Sequence, residues 1–478
     1  MKVEKEFTDK HSYNISRRNF LSGAAAAAAF AIVPRHVLAQ TGGVTPSEKI
    51  NVGIIGVGGQ GTGDMQELLE FTELQIVAVA DPIKRCDYSK WWYKTDCGRE
   101  PAREIVEQRY AEQKQSGVYK GCNTYADFRE MLEKEKLDAV LVATTDNLHA
   151  PAAMAAMKKG LHVYCEKPLT HTIGEARQMA NLAREKKLAT QMGNAGQASE
   201  ETRRVAEFIA DGAIGPVREV HDWTNRPVWP QGIDRPKDTP PVPEGIDWDL
   251  WLGPAPSRPY NPVYLPVAWR GWWDFGTGAL GDMGCHTFDP IFRALKLQHP
   301  VSVEACYANQ FPVDFSEYKP VETFPHASIV RYEFPARAEF PALNLTWYDG
   351  WLRPPRPAEL EDKRIMAKSG VLYVGDKGKM LEGRIIPESK MQQYKRPPKT
   401  LPRSPGHYNE WVNAIKGGPP AGANFEFASL VTQVVLLGNI ALRFPNTKLK
   451  WDGPNMKITN VPEANNYIQR QYRDGWNL

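Results

Sequence analysis

The sequence predicts an α/β protein, with a doubly wound parallel sheet in its first half and an antiparallel or mixed sheet in its second. Three observations predict it. Over residues 48–193, short continuously apolar runs alternate with amphipathic segments, the pattern of strands buried on both faces and crossed by helices. Beyond residue 301 the apolar runs are longer and alternate with polar residues, which suits a sheet with one solvated face. Between the two, residues 223–273 hold seven of the fourteen tryptophans and many prolines, the texture of irregular loop.

Element by element, Ile50–Ile55, Leu74–Ala80, 138–143 and 161–164 read as buried strands. Helices are expected from 60–69, 125–135, 150–159 and 172–186. An excursion at 84–118 interrupts the alternation and carries Trp91, Trp92 and Tyr93. In the second half 301–310, Ala327–Phe334, 338–347 and Gly370–Gly375 read as strands, 397–405 as a linker, and 407–416 and 425–443 as closing helices. There is no internal repeat.

The N-terminus reads as an export signal. Ser16-Arg17-Arg18-Asn19-Phe20-Leu21 is a twin-arginine pattern, the apolar run 21–33 follows, and Val37-Leu38-Ala39 suits cleavage. A run of 13 residues is too short to span a bilayer, which takes about 20, so a periplasmic protein without stable membrane insertion is expected, with membrane association as the alternative if the signal is retained. The later apolar stretch 428–444 is broken by Gln433, Asn439 and Arg443 and reads as a packed helix. The first 39 residues hold six basic and three acidic groups, and the rest holds 53 of each. Its net charge is zero, so no nucleic-acid partner is expected. The six cysteines form no C-x-x-C pair and read as free, buried thiols.

The chemistry begins at Gly56-Val57-Gly58-Gly59-Gln60-Gly61, which follows the first strand and opens a helix. Glycines there allow a tight turn, let the backbone approach a pyrophosphate, and set it at the positive end of the helix. Asp81 lies twenty residues past Gly61 at the end of the second strand, where a carboxylate can accept hydrogen bonds from a ribose diol. It would repel a 2′-phosphate and so favours NAD. Lys84 and Arg85 follow closely and leave NADP open.

Cys165-Glu166-Lys167-Pro168 directly follows a strand. Strand C-terminal ends line the ligand crevice of such a sheet, and an ammonium there can hydrogen-bond a substrate hydroxyl. Asp282 and His286 are four residues apart and share one face of a helix. A neutral imidazole accepts the proton of an alcohol being oxidised, and the carboxylate orients it or binds a second hydroxyl. Neither has further partners at metal-ligand spacing, so no metal is expected.

These residues, in this order, resemble the Gfo/Idh/MocA family (glucose–fructose oxidoreductase, inositol dehydrogenase and relatives). Thr144-Thr145-Asp146-Asn147-Leu148-His149 resembles the family's loop after the fourth strand, with Thr145 where that loop usually has proline. The resemblance runs from about Lys49 to Arg443. It implies an N-terminal Rossmann domain and a C-terminal α/β domain with a large open, mostly antiparallel or mixed sheet. It also implies that Lys167 positions the reacting hydroxyl, that His286 is the general base, and that Asp282 completes the catalytic set. Gly56, Gly58, Gly59, Gln60, Gly61, Asp81, Thr144, Asn147, His149 and Glu166 become cofactor-side candidates, with Asn147 and His149 near the nicotinamide. A homo-oligomer built on the exposed face of the second sheet is typical of the family. The expected organisation is signal 1–39, dinucleotide-binding domain 48–168, substrate domain 169–400, closing helices 405–445 and tail 446–478.

The expected activity is oxidation of a sugar or polyol hydroxyl with NAD or NADP. Trp223, Trp229, Trp269, Trp272 and Trp273 flank Asp282 and His286, and aromatic faces suit sugar rings as well as they suit an interdomain core. The periplasm has no obvious nicotinamide pool, so an exported enzyme should keep its cofactor and regenerate it within the cycle. Two alternatives use the same residues or fold: a glycosidase or lyase working by transient oxidation, elimination and re-reduction, and a non-catalytic sugar-binding protein.

Overall fold

The computed structural model describes residues 49–91, 93–114, 117–309 and 322–478. The export signal, Trp92 and Gln310 lie outside them. Residues 50–478 form one compact unit.

Six parallel strands make the first sheet: β1 (Ile50–Ile55), β2 (Leu74–Ala80), β5 (Asn123–Tyr125), β6 (Ala139–Val142), β7 (His162–Cys165) and β8 (Thr190–Met192). Their spatial order is β5-β2-β1-β6-β7-β8. Counted within the sheet this is 3-2-1-4-5-6, the dinucleotide-binding arrangement, with its topological switch between β1 and β6. Every residue of β6 is buried, as an interior parallel strand requires. The crossover helices are α1 (Gly59–Leu68), α2 (Arg99–Gln113), α3 (Phe128–Lys134), α4 (Asp146–Lys158) and α5 (Ile173–Lys186). Local signals set their ends. Asp127 caps α3 by accepting from the Arg129 amide, and Thr172 with Glu175 forms a reciprocal capping box on α5.

The excursion at 84–118 is ordered around a small hairpin, β3 (Cys86–Asp87) with β4 (Asp96–Cys97), followed by α2. Residues 123–125 pair with β2 as a strand, so Tyr125 ends a strand rather than opening the expected helix at 125–135, and the helix starts after Asp127 caps the chain two residues later. α4 starts four residues earlier than periodicity suggests and carries Pro151 inside it.

The second sheet has nine strands: β9 (Val217–Trp223), β10 (Ser302–Ala308), β11 (Ala327–Phe334), β12 (Leu343–Tyr348), β13 (Gly370–Gly375), β14 (Gly378–Leu381), β15 (Arg384–Ile386), β16 (Leu449–Asp452) and β17 (Lys457–Ile458). Their order is β15-β14-β13-β9-β12-β11-β10-β16-β17. Every neighbouring pair is antiparallel except β9 with β12, so the sheet is mixed. The expected strand at 338–347 begins only at Leu343, because residues 337–340 turn tightly through paired Arg337 and Phe340.

The remaining helices are α6 (Glu200–Ala210), α7 (Trp248–Leu252), α8 (Gly278–Leu295), α9 (Glu388–Gln393), α10 (His407–Ile415) and α11 (Phe425–Leu442). Phe288 and Phe292 of α8 meet Tyr332, Trp347 and Phe334 of the second sheet edge to face. The apolar helix α11 is long enough to cross a membrane, yet it is mostly buried inside the protein. It packs between α5 and α8, so one continuous core joins the first sheet to the second. Trp411 and Val412 of α10 return to the opposite face of the first sheet, against the cluster containing Val52 and Ile54. The outcome is a rigid seat for α8 beside the switch point.

Candidate active site

A cavity of about 410 Å³ opens at the switch point. It is lined by Gly56, Gly58, Gly59, Gln60, Asp81, Thr144, His149, Glu166, Lys167, Asp282 and His286. Eleven of the thirteen sequence candidates therefore meet in one place. Gly61 and Asn147 do not line it.

The glycine turn is dictated by close approach. Gly56 has φ +88°, and a Cβ there would lie 2.6 Å from the Ala143 carbonyl oxygen. Gly61 serves packing: its Cβ would fall 2.0 Å from the Gly56 carbonyl oxygen. Gly61→Ala must therefore part α1 from the turn, and an overpacked contact of this kind costs ~1–3 kcal/mol. We expect a lower melting temperature and weaker dinucleotide binding. A variant that melts and binds like the parent would show that this contact carries nothing.

The turn fits a dinucleotide on three counts. No side chain caps α1 at Gly58, and no acid occupies its first turn, so its amides and positive end are available to an anion. A Cβ on Gly58 would meet nothing within 4 Å. Asp81 braces the turn, with its Oδ2 accepting from the Val57 amide at 2.9 Å and its Oδ1 from the Ile83 amide at 2.8 Å. Burial pushes Asp81 up to about 6 against those two hydrogen bonds. Gln60 is held by its own helix, its Nε2 donating to Asp64 Oδ1 at 2.8 Å. The ring of Tyr93, at the hairpin tip, lies where a Cβ on Gly59 would be, 2.0 Å away. A pyrophosphate bound over Gly59 would need that ring to move aside.

The opposite end of the cavity is built by β7 and α8. Lys167 leaves β7 and donates from Nζ to Asp282 Oδ1 at 2.8 Å and to the Asp282 carbonyl at 3.1 Å. Arg270 Nε donates to the same Oδ1 at 3.1 Å. Burial alone would raise Asp282, but Lys167 and Arg270 outweigh it and hold the carboxyl far below its usual range. Burial and then Arg270 oppose the charge on Lys167, and Asp282 offsets them and keeps it an ammonium. One turn along α8, burial and then the charge of Lys167 push His286 down to about 3. The imidazole is therefore neutral, and weaker as a base than an ordinary histidine.

The loop after β6 holds this end in place. His149 Nδ1 lies 2.7 Å from the Pro168 carbonyl, tying α4 to the turn that carries Lys167. Burial lowers His149 to about 4, so its neutral ring has one N–H, which the short contact uses. Thr144 donates from Oγ1 to the Thr145 carbonyl at 3.1 Å. Asp146 accepts from Thr277 Oγ1 at 2.6 Å, linking the starts of α4 and α8. Asn147 is fully buried and donates to the Leu252 carbonyl at 3.0 Å, which turns it away from the cavity and onto α7. Glu166 is raised to about 8, by burial first and then by Asp64. Its carboxyl fills the space over Gly193, whose Cβ would sit 1.9 Å from Oε1.

The tryptophans divide. Trp229, Trp251 and Trp269 line the cavity, whereas Trp223 and Trp272 are completely buried in separate cores and Trp273 packs on Phe324 and Arg443. Sequence reasoning missed Arg226, Arg270 and Tyr93 as cavity residues. The available signal was a single cation between Trp269 and Trp272 in an aromatic stretch. Among the described residues, no three His, Cys, Asp or Glu side chains group to hold a metal ion.

Residues 91–194 match the oxidoreductase family's NAD-binding Rossmann fold, and residues 219–325 match its C-terminal alpha/beta domain. A glycosyl hydrolase family 109 protein of Shewanella putrefaciens is 26% identical over 221 residues, 42% of this chain and 44% of that protein. The rhizopine catabolism protein MocA of Rhizobium meliloti is 26% identical over 167 residues, 35% of this chain and 44% of that protein. The matched stretch spans less than half the length of these relatives. The crystal structure of the WlbA dehydrogenase from Bordetella pertussis, in complex with NADH and UDP-GlcNAcA, superposes with a TM-score of 0.55 at 15% identity. That match covers 84% of this chain and 99% of the other, a likeness of fold.

Proposed function

We propose that this chain, a relative of the Gfo/Idh/MocA oxidoreductases over its two matched segments, is a nicotinamide-dinucleotide-dependent oxidoreductase acting on a hydroxyl of a sugar, glycoside or polyol. The observation that carries the reading is the convergence of an uncapped helix N-terminus, an Asp282-paired Lys167 ammonium and a neutral His286 in one cavity. A bound nicotinamide supplies the hydride acceptor. Lys167 hydrogen-bonds the reacting oxygen and favours its alkoxide, which lowers the proton affinity that His286 must match. Asp282 keeps Lys167 charged and oriented. Trp229, Trp251 and Trp269 wall the cavity with apolar surface and exclude water from it.

NAD is the cofactor this geometry favours. Asp81 would repel a 2′-phosphate, and Arg85, which could have received one, is engaged by Asp96 at 3.1 Å and Glu104 at 2.6 Å. The twin-arginine pattern adds a periplasmic site of action with the dinucleotide retained through the cycle. The test is to purify the protein, denature it and chromatograph the supernatant. Near-stoichiometric NAD is expected. A protein that carries none and binds none when it is added would end the oxidoreductase reading. A second reading, a glycosidase acting by transient oxidation, draws support from the glycosyl hydrolase family 109 relatives. Product analysis on a glycoside separates the two: a ketone supports the first and a released aglycone the second.

A further inference from the structure

Resting on that reading, we propose that the substrate is a sugar bearing an oxyanion, a carboxylate or a phosphate, which Arg226 and Arg270 receive. The argument starts from the charges around the substrate end of the cavity. Three fixed cations line it, Lys167, Arg226 and Arg270, and two of them share one carboxylate. Asp282 Oδ1 takes both Lys167 and Arg270. Of the other acids of the lining, burial raises Asp146 to about 7 and Glu166 to about 8, which leaves them partly or largely protonated near neutral pH. Asp81 is bonded to two backbone amides at the glycine turn. Asp146 is bonded to Thr277. Glu166 is buried beside Tyr164 and Gly193. The two histidines of the lining are neutral.

Positive charge is therefore in excess, and it is enclosed. The Arg270 side chain is 15% exposed, and Asp282 is its one ion-pair partner among the described residues. Asp146 and Tyr93 also face it. Its guanidinium stacks 4.3 Å over the Trp269 ring and lies 6.0 Å from the Trp229 ring, which fixes the direction of the fork. Arg226 follows β9 and donates from Nη1 to the Asn225 side-chain oxygen at 3.1 Å. It has no carboxylate partner at ion-pair distance among the described residues. A buried cation sharing its counter-ion is costly unless a ligand completes the pairing, and a guanidinium fork matches carboxylate and phosphate oxygens in pairs. An uncharged sugar would leave this excess uncompensated, whereas an anionic one neutralises it beside Lys167.

The experiment uses the purified, dinucleotide-loaded full chain. After reduction of the cofactor, its bound fluorescence is followed while matched sugars are added: glucose, glucuronate and glucose 6-phosphate, then galactose, galacturonate and galactose 6-phosphate. In at least one set we expect an anionic sugar to bind ~10-fold or more tighter than its neutral partner. Whether the acid or the phosphate gains identifies the oxyanion. Arg226→Gln should erase that preference while leaving the dinucleotide content unchanged. Neutral sugars binding as well as anionic ones, no sugar binding to the loaded protein, or an anion preference untouched by Arg226→Gln would each overturn the inference. A chain that holds no dinucleotide would instead overturn the function on which it rests.

Discussion

Lys167→Met should lower kcat by about 10²–10⁴-fold, the range of a proton-transfer group that acts in the transition state, while the protein still retains its dinucleotide. The side chain reaches the cavity floor with its ammonium on Asp282. Methionine keeps most of the stem's volume and removes only the charge and the donor. The usual danger in breaking such a pair is a stranded buried carboxylate. Here Arg270 remains on the same Asp282 oxygen at 3.1 Å, so the fold and the glycine turn should survive. The substrate oxygen then loses its nearest cation, and forming its alkoxide becomes harder. His286, already held at about 3 by burial and by Lys167, should become somewhat more basic once the ammonium is gone, yet it faces an alcohol that no longer yields its proton. Steady-state turnover and dinucleotide content measured on the same preparation decide the matter. Turnover within tenfold of the parent would remove Lys167 from the reacting centre. Loss of the dinucleotide would show that its role is to hold the cofactor loop.

The parts of this site that sequence reveals are those made by neighbours along the chain. The glycine turn and Asp81 sit at the ends of two adjacent parallel strands, so strand, turn and acid stand in register before any tertiary contact is considered. Asp282 and His286 share a face because four residues make about one turn of α8. The bond from Lys167 to Asp282 spans 115 positions, and nothing in the spacing of either motif specifies it. The same is true of Arg226 and Arg270, which reach the cavity only because α8 and the loop after β9 fold over the first sheet. Asn147 shows the converse. It lies on α4 two residues before His149, but neighbouring residues of a helix face different ways, and its side chain goes to Leu252. The short strands β14 to β17 escaped notice because two to four residues carry too little alternation to distinguish a strand from a turn.

Asp222→Asn should stabilise the protein more at pH 8 than at pH 5, with a difference approaching ~4 kcal/mol. Asp222 lies on β9 at an inward position, two residues after Val220, and is paired in register with Trp347 and Val371. It is fully buried, and neither carboxyl oxygen has a hydrogen-bond partner. Burial pushes it up to about 8 against the nearby Thr287 hydroxyl, which donates instead to the Met283 carbonyl at 3.4 Å and so leaves the carboxyl unpartnered. The sign follows from the shift. A carboxyl whose folded pKa is raised favours the folded state below its unfolded value near 4, and that contribution is lost as pH climbs toward 8. The loss is roughly 1.4 kcal/mol per pH unit. Asparagine cannot ionise, so it escapes the loss while keeping the shape of the side chain and offering a donor near the unpartnered Tyr332 hydroxyl. Denaturant midpoints of parent and variant, taken from pH 5 to pH 8, measure it. A constant offset across that range would mean that Asp222 is already ionised and solvated in the folded protein. The consequence reaches the active site, because Thr287 adjoins His286 on α8. If ionising Asp222 beneath that helix shifts His286 and Asp282, the parent should lose turnover toward alkaline pH along with stability, and the variant should retain both.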